Sequence, residues 1–185
     1  MIAITDQRCP GRIVQISSSA GPSYVAKCRQ DVQSKLVTDV TWAEVEKTIM
    51  QPYLNVMEDA SLTAEGKKDS LESLGLAEGA YGIAKAAVNA YTVELARRFP
   101  RLRVNACTPG FIATDLTRPY GEKSGKTMAE MGAKTPAEGA TAALFLTMSS
   151  LAAEESGRYY GSDAVRSPLH KYRSPGSPPY DGTLP

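Results

Sequence analysis

A tyrosine and a lysine stand four residues apart in the segment AYGIAK, as Tyr81 and Lys85. In a helix, residues at this spacing lie on one face, so the phenol and the ammonium would be neighbours. A phenol, with an ordinary pKa of about 10, exchanges protons poorly at neutral pH, but a neighbouring positive charge favours its phenolate. The pair therefore predicts an acid–base group for a bound molecule.

A serine completes a constellation that is suited to carbonyl chemistry. Ser18 stands at the end of a short β-branched run, and an adjacent strand end would bring its hydroxyl beside Tyr81. There Ser18 would hydrogen-bond a substrate carbonyl oxygen, and Tyr81 would give that oxygen a proton while a hydride arrives at the carbon. Because a Tyr-x-x-x-Lys pair alone is more often an exposed pair than a site, the hypothesis depends on the segments around it.

Three segments would position these side chains. Residues 11–18, GRIVQISS, predict a buried strand that ends at serines. Residues 80–99 predict a long helix that begins at the tyrosine and stops before Pro100, and residues 102–110, LRVNACTPG, predict a second buried strand closed by a Pro-Gly turn. Strand, helix and strand in this order make a right-handed crossover unit, which implies a parallel sheet.

The residues between Ser18 and the long helix are more polar. Residues 41–60 predict a helix with Thr41 as its cap and a kink or interruption at Pro52. Residues 61–79 are charged and contain glycine, so we expect a solvated loop with at most one helical turn. The apolar face of the helix at 41–60 is predicted to carry Val45, Ile49, Leu54 and Met57.

The last third of the chain predicts a loop, a helix, a strand and a tail. Residues 111–134 are mixed in character and indicate a surface loop or flap, and a Thr-Pro start at Thr135 with Glu138 three residues later indicates a capped apolar helix. The segment GRYYGSDA is predicted to be a last short strand. Residues 166–185 contain five prolines and no periodicity, which favours an extended tail.

The serine strand, the Tyr-x-x-x-Lys helix and the Pro-Gly strand together resemble the second half of the short-chain dehydrogenase/reductase family, over about residues 11–161. By this resemblance Ser18 orients the carbonyl, Tyr81 is the catalytic acid, and Lys85 binds the nicotinamide ribose and tunes Tyr81. The turn that holds the nicotinamide carboxamide and the adjacent phosphate is implied to consist of Pro109, Gly110, Ile112 and Thr114.

The resemblance also implies a fold and a branch of the family. The fold is α/β, a partial Rossmann-like doubly wound parallel sheet that supplies the last strands of a seven-stranded sheet, with an inserted helix and an extended Pro-rich tail. Residues 1–165 would be the C-terminal part of the reductase domain, with an insert at about 20–79, and residues 166–185 the tail. An insert of this length resembles the carbonyl reductase branch, which implies NADPH as cofactor, a ketone, aldehyde or quinone as substrate, and a monomer when complete.

Some features of the family are absent from the sequence. It contains neither the Thr-Gly-x-x-x-Gly-x-Gly turn that places backbone amides against a pyrophosphate nor the Asn-Asn-Ala-Gly segment. We therefore expect either a fragment of a full enzyme, which we favour, or a real short product that pairs with another chain. The strand at 12–16 should then have one unpaired side, a predicted aggregation site, and the chain alone should not bind NADPH with useful affinity.

Composition excludes several other classes. With 21 Lys plus Arg against 20 Asp plus Glu and no long basic run, the chain lacks the charge footprint of a nucleic-acid binder. Three cysteines, Cys9, Cys28 and Cys107, without CxxC spacing argue against a disulfide framework or a zinc site and favour a reducing compartment. The start does not resemble a signal peptide, and no stretch approaches the roughly 18 apolar residues of a membrane span, so we expect no membrane partner and a cytoplasmic location.

Three other functions remain open at this point. The segment GEKSGKT, residues 121–127, is one residue short of a P-loop and follows no predicted strand. A serine hydrolase would need a histidine near Ser18, but the single histidine, His170, lies in the tail and is expected at the surface. The third alternative is a non-catalytic remnant that keeps the substrate side as a binding or regulatory protein. Cys107 and Trp42 are expected to be packing residues.

Overall fold

A computed structural model describes residues 11–38, 41–150 and 155–182. Within these ranges, four strands form one sheet in the order β1-β2-β3-β4, with bounds β1 Arg12–Ile16, β2 Arg103–Cys107, β3 Tyr159–Tyr160 and β4 Arg166–Ser167. The β1–β2 and β2–β3 pairs are parallel, and β3–β4 is antiparallel. The predicted strands at 11–18, at 102–110 and in GRYYGSDA are confirmed, whereas the short β4 was not foreseen.

The helices of the described chain fall into an insert group, one central helix and a C-terminal group. The insert contains α1 Ala20–Val25, α2 Gln30–Val37, α3 Trp42–Val45, a π-helical turn Glu46–Met50, α4 Gln51–Glu58 and α5 Ala64–Ser73. The central helix is α6 Ala80–Arg98, which confirms the predicted helix at 80–99. The C-terminal group contains α7 Arg118–Ser124, α8 Pro136–Gly139 and α9 Thr141–Met148.

Helices cover both faces of the sheet. Gln15 of β1 borders the same shallow groove as Ala87 of α6, while Val14 and Cys107 pack with Leu146 of α9. Because successive side chains of a strand point to opposite faces, α6 and α9 lie on opposite sides of β1. The predicted α/β class with helices on two faces of a mostly parallel sheet is confirmed, and Cys107, at 1% exposure, is the packing residue that was expected.

The strand β1 forms one edge of the sheet. It pairs with β2 through five residues, and within the described ranges no strand lies on its other side. Ile13 and Ile16 are 39% and 52% exposed there. The predicted unpaired side of this strand is therefore present, and its tendency to aggregate stays a prediction.

The insert is more helical than its sequence indicated. The prediction of a solvated loop at residues 61–79 is wrong, because α5 occupies Ala64–Ser73. Thr63 accepts a hydrogen bond from the amide of Gly66 at 3.1 Å and so caps this helix, and Leu71 anchors it in the core at 1% exposure. A polar helix with one buried anchor has little apolar periodicity, which is why its sequence resembled a loop.

The π turn corrects the predicted apolar face of the helix at 41–60. The cap at Thr41 is confirmed, and Val45 and Ile49 are buried as expected, but Leu54 and Met57 are about two-fifths exposed. Tyr53, at 3% exposure, is buried in their place. In a π turn, with i→i+5 hydrogen bonds, successive side chains are separated by a smaller angle about the helix axis than in an α-helix. Residues four apart therefore stay on one face.

Pro52 lies directly after the π turn, in the first turn of α4. A proline is tolerated in the first turn of a helix, and the helix continues through it to Glu58. The predicted interruption at Pro52 is thus present as a change of helix type instead of a break. Trp42, at the start of the same helix, packs edge-on to Tyr91 of α6 with ring centres 5.2 Å apart, which fits the packing role expected of it.

The flap and the tail are both more ordered than a simple loop. Residues 111–134 contain α7 as well as turns, and Thr135 with Glu138 forms the reciprocal capping box expected at the next helix start. In the tail, the two terminal guanidinium nitrogens of Arg173 donate to the same carboxylate oxygen of Asp163, at 3.0 Å and 2.6 Å. Among the described residues, no helix is long and apolar enough to cross a membrane.

His170 is buried, so the prediction of a surface residue is wrong. Its side chain is 8% exposed, and its ring meets that of Tyr180 edge-on with 5.8 Å between ring centres. Other residues of the tail, including Tyr180, pack around it. Polar, proline-rich residues without periodicity do not reveal such an arrangement from sequence.

Candidate active site

The serines that follow β1 are held at the carboxyl edge of the sheet. The amide of Ser17 donates to the carbonyl of Cys107 at 2.8 Å, which extends the β1–β2 pairing by one residue. The Ser17 hydroxyl donates to the carbonyl oxygen of Lys85 at 3.2 Å, and the Ser18 hydroxyl accepts from the amide of Ala20 at 3.2 Å. Since the Ser18 oxygen acts here as an acceptor, its own proton can be offered to a ligand.

The tyrosine and the lysine occupy the first turns of α6. Tyr81 is 57% exposed, and Lys85 Nζ lies 5.7 Å from the centre of its ring. The same ammonium donates a hydrogen bond to the carbonyl oxygen of Ile16, at 3.0 Å. Because Ile16 is the last residue of β1, this bond ties the Tyr81–Lys85 face of α6 to the strand end from which Ser18 follows.

Two glycines let α1 approach α6 closely. A Cβ on Gly21 would lie 2.9 Å from the backbone carbon of Lys85, and one on Gly82 would lie 2.9 Å from Cβ of Tyr24. A methyl group at either position would push the helices apart. The glycines therefore set how near the Ser18 turn comes to the lysine, a role that the sequence alone did not suggest.

The Pro-Gly turn leads from β2 into the flap at the same edge. Gly110 has φ +90°, where a side chain would be strained, and a Cβ there would lie 3.2 Å from Cβ of Ser162. The backbone of this turn is exposed at Gly110, and Pro109 beside it is half-buried. The turn can thus be approached closely by a flat group.

Of the other two predicted cofactor residues, one is accessible and one is not. Thr114 is exposed, and its amide donates to the hydroxyl of Thr117 at 3.1 Å. The side chain of Ile112 is buried and reaches toward helix α8, where a Cβ on Gly139 would meet it at 2.6 Å. Any contact of Ile112 with a cofactor would therefore involve its backbone.

A cleft of about 210 Å³ opens beside these residues at the ends of β1, β2 and β3. Ser19 borders it next to Ser18, and Gly110 borders it from the Pro-Gly turn. Its remaining walls were not predicted as site residues and come from the flap, the end of β3 and the tail; among them are Phe111, Lys134, Tyr159, Ser162, Tyr172 and Arg173. A signal was available for Tyr159 and Ser162, which flank the end of a predicted parallel strand, where ligand sites commonly form.

Tyr159 carries an unusual phenol. The side chain is 3% exposed, and burial, foremost, raises the pKa of Tyr159 above its ordinary value. Its hydroxyl has no hydrogen-bond partner in the described chain, although Thr108 lies close enough to act on its pKa without meeting hydrogen-bond geometry. The phenol thus stays protonated at neutral pH.

The geometry disfavours two of the alternatives. Residues 118–124 are helical, so Gly121 does not open a phosphate-binding loop between a strand and a helix. His170 borders a different cavity from Ser19, and within the described residues its Nδ1 has no hydrogen-bond partner. A Ser–His pair is therefore absent from the described part of the molecule, and no hydrolase site forms at Ser18.

Similarity to known proteins adds to this geometry. A profile of the family described as Enoyl-(Acyl carrier protein) reductase matches residues 62–163, which are 102 of the 185 residues. The chain is 34% identical to carbonyl reductase (NADPH) 3 of Mus musculus over 132 residues, which cover 68% of this chain and 43% of the relative. It is 33% identical to (+)-neomenthol dehydrogenase of Arabidopsis thaliana over 133 residues, which cover 68% of this chain and 38% of the relative.

Among solved structures, salutaridine reductase from Papaver somniferum is 27% identical, with a TM-score of 0.44, over 58% of this chain and 34% of that one. The chain spans about two fifths of the length of the curated relatives named above. The matched profile covers the Tyr81–Lys85 helix, β2 and the flap. The chain belongs to the short-chain dehydrogenase/reductase family.

Proposed function

We propose that the chain is the substrate side of an NADPH-dependent oxidoreductase that reduces a ketone, aldehyde or quinone to an alcohol. The observation that carries the proposal is the bond from Lys85 Nζ to the Ile16 carbonyl, which holds the Tyr81–Lys85 face of α6 at the strand end that leads into Ser18. Relatives named as NADPH carbonyl reductases support the reaction and the cofactor.

The chemistry assigns one task to each side chain. Ser18, whose oxygen already accepts from the amide of Ala20, donates its proton in a hydrogen bond to the substrate carbonyl oxygen. Tyr81 gives its phenolic proton to that oxygen, and the ammonium of Lys85 lies 5.7 Å from the centre of its ring. A bound nicotinamide cofactor supplies the hydride that adds to the carbonyl carbon, so that proton and hydride together yield the alcohol.

The residues present fit the nicotinamide end of such a cofactor. Lys85 is half-buried with Tyr81 exposed beside it, which leaves both polar groups accessible to a ribose. Gly110, exposed and at positive φ, lets a flat carboxamide approach the backbone, and Thr114 is exposed beyond it. The pyrophosphate end needs a glycine-rich turn that the sequence does not contain, so we propose that activity requires a dinucleotide-binding half joined to this chain.

The test is NADPH oxidation by the protein that carries its upstream dinucleotide-binding half, assayed with aldehydes, ketones and quinones. Tyr81→Phe should lower kcat/KM by about 10²–10⁴-fold, because the phenolic proton is lost while the ring remains. Tyr91→Phe, on the same helix but packed against Trp42, is the matched control and should keep full activity. Full activity of Tyr81→Phe would refute the mechanism.

A second candidate function is a non-catalytic binding or regulatory protein, which the missing glycine-rich turn favours. If this function is correct, the joined protein should bind carbonyl ligands without oxidising NADPH, and Tyr81→Phe should not change that binding.

For the enzyme we further propose a monomer in the cytoplasm. Free, buried thiols at Cys28 and Cys107 are compatible with a reducing compartment, and Cys9 lies outside the described residues.

A further inference from the structure

The cleft beside Ser18 contains a cation without a charged partner. Lys134, at the end of the flap, is half-buried and donates to the hydroxyl of Ser162 at 3.0 Å. Across the described ranges, no carboxylate lies within 4.0 Å of its ammonium. The same ammonium also donates to the carbonyl oxygen of Ser162, at 3.5 Å, so its hydrogen-bond partners in the described chain are neutral oxygens of one residue.

The nearby acids are committed elsewhere. Glu138, one helical turn away, accepts from both the amide and the hydroxyl of Thr135, at 2.7 Å and 2.8 Å, as part of the capping box. Asp163 pairs with Arg173, the other cation of the cleft walls, whose side chain is 6% exposed. The Arg173 charge is therefore already neutralised by a direct ion pair, whereas Lys134 has no ion pair among the described residues and acts on the Glu138 carboxylate only at longer range.

Two buried hydroxyl-bearing residues border the same cleft. Ser162, 5% exposed, accepts the hydrogen bond from Lys134, and the side chain of Tyr159, which also borders the cleft, has a buried hydroxyl with no hydrogen-bond partner within the described chain. An unpaired buried hydroxyl costs free energy unless a ligand satisfies it. A cation and a protonated phenol at one cleft form a donor set for an anionic oxygen group.

We propose that this cleft selects carbonyl substrates that also carry a carboxylate, with Lys134 and Tyr159 as the residues that bind the anionic group. The inference rests on the proposed function, because the carbonyl of such a substrate would be reduced by Ser18 and Tyr81, next to the cleft that Ser19 borders. The other source of an anionic oxygen group is a phosphate of the cofactor. Of the residues assigned to the cofactor, Gly110 borders the cleft, but Ile112 and Thr114 do not. Most of the walls come from the flap, the end of β3 and the tail, which favours the substrate.

The first experiment measures binding to the 185-residue chain by calorimetry, without cofactor. The probes are para-acetylbenzoate and phenylglyoxylate, each compared with its neutral methyl ester, and inorganic pyrophosphate. We expect at least one of the two carboxylates to bind about tenfold or more tightly than its ester, because a hydrogen bond to a charged group is worth that much. Lys134→Gln should abolish this preference, and Lys126→Gln, an exposed flap lysine, should keep it.

A second variant separates binding from folding. Tyr159→Phe removes a hydroxyl that has no partner within the described chain, so its free energy of unfolding should not fall, while carboxylate affinity should drop about threefold or more. Equal affinity for acid and ester, no binding of either, or a preference that survives Lys134→Gln would each overturn the proposal. Pyrophosphate binding that needs Lys134, without any carboxylate preference, would assign the cleft to a phosphate and would overturn it too.

The outcome is distinguishable from that of the proposed function. Tyr81→Phe should keep the carboxylate preference, because Tyr81 does not border this cleft. If the joined protein oxidises no NADPH while the preference persists, only the proposed reaction fails. If NADPH oxidation depends on Tyr81 but neutral and charged ketones bind alike, only the substrate class fails.

Discussion

The ammonium of Lys85 donates to the carbonyl oxygen of Ile16 at 3.0 Å, so a side chain of helix α6 closes on the last residue of strand β1. This bond crosses 69 residues of sequence and the whole insert. It fixes the polar face of α6 to the strand end directly, without an intermediary residue of the insert. The site is thus built by the helix–strand pair, and the insert is packed onto it.

Lys85→Met should remove both the tether and the charge next to Tyr81. We expect kcat/KM for NADPH-dependent reduction in the joined protein to fall by about 10²–10⁴-fold. Lys67→Met is the control, because Lys67 also donates to a backbone carbonyl, that of Met57 at 2.6 Å, but lies in the insert. Equal activity of the two variants would contradict a role for the lysine in the site.

Gly21→Ala should loosen the contact between α1 and α6. The added methyl group would lie 2.9 Å from the Lys85 backbone and 3.0 Å from Nδ2 of Asn89, and overpacking of this kind costs about 1–3 kcal/mol. The control is Gly66→Ala in α5, where the nearest atom is 3.4 Å away and alanine favours the helix. Urea unfolding should show a loss of stability for the first and none for the second.

The site could be predicted in part because its chemistry is local. Tyr81 and Lys85 share one helix face, and the β-branched run before Ser18 identifies its strand, so sequence spacing places all three near one sheet edge. Lys134 has no such signal, and for Tyr159 the sequence offers only its place in a predicted short strand. Their meeting depends on the flap and on β3, which is only two residues long, and no periodicity develops over so short a strand.

The fold was predictable where apolar periodicity is strong and was missed where another factor decides. The helix at 80–99 has a broad apolar side, whereas α5 depends on its cap at Thr63 and one buried leucine. Leu54 was placed in the core because a regular helix was assumed, and the π turn gave that place to Tyr53. A π turn has no compositional signature comparable to that of proline or glycine.

Asp163→Asn should destabilise the anchored tail. The charge of Arg173, whose side chain is 6% exposed, would remain buried without its partner, at a cost of about 3 kcal/mol. The matched control is Asp31→Asn, which breaks the exposed Arg29–Asp31 pair and should cost much less, because water screens both charges. Urea unfolding of both variants tests this, and equal losses would show that the tail pair is not buried in solution.

His170 should make the free energy of unfolding depend on pH, in a window below the ordinary histidine pKa of 6.5. Burial, more than the nearby Lys171 charge, lowers the pKa of His170 from 6.5, so the folded protein favours the neutral ring. As pH falls, the unfolded chain binds the His170 proton before the folded protein does. The neutral ring's contribution to the free energy of unfolding is therefore complete above pH 6.5 and is lost progressively below it.

The measurement is urea unfolding at a series of pH values from neutral downward. His170→Phe should flatten the slope just below pH 6.5, because the chain contains one histidine. The carboxyl groups whose pKa is shifted, Asp163 among them, move to below 3.8 or 4.5 and titrate outside this window. An unchanged slope in the variant would mean that the ring is hydrated in the folded state.

The walls of the cleft come from distant parts of the chain, and this sets the order in which the cleft can form during synthesis. Ser19 leaves the ribosome before Gly110, and Tyr172 and Arg173 follow Gly110. Contacts at such separation form slowly, because the loop between them must be closed first. The cleft can therefore close only after Ser18, Tyr81 and Lys85 have all been synthesised.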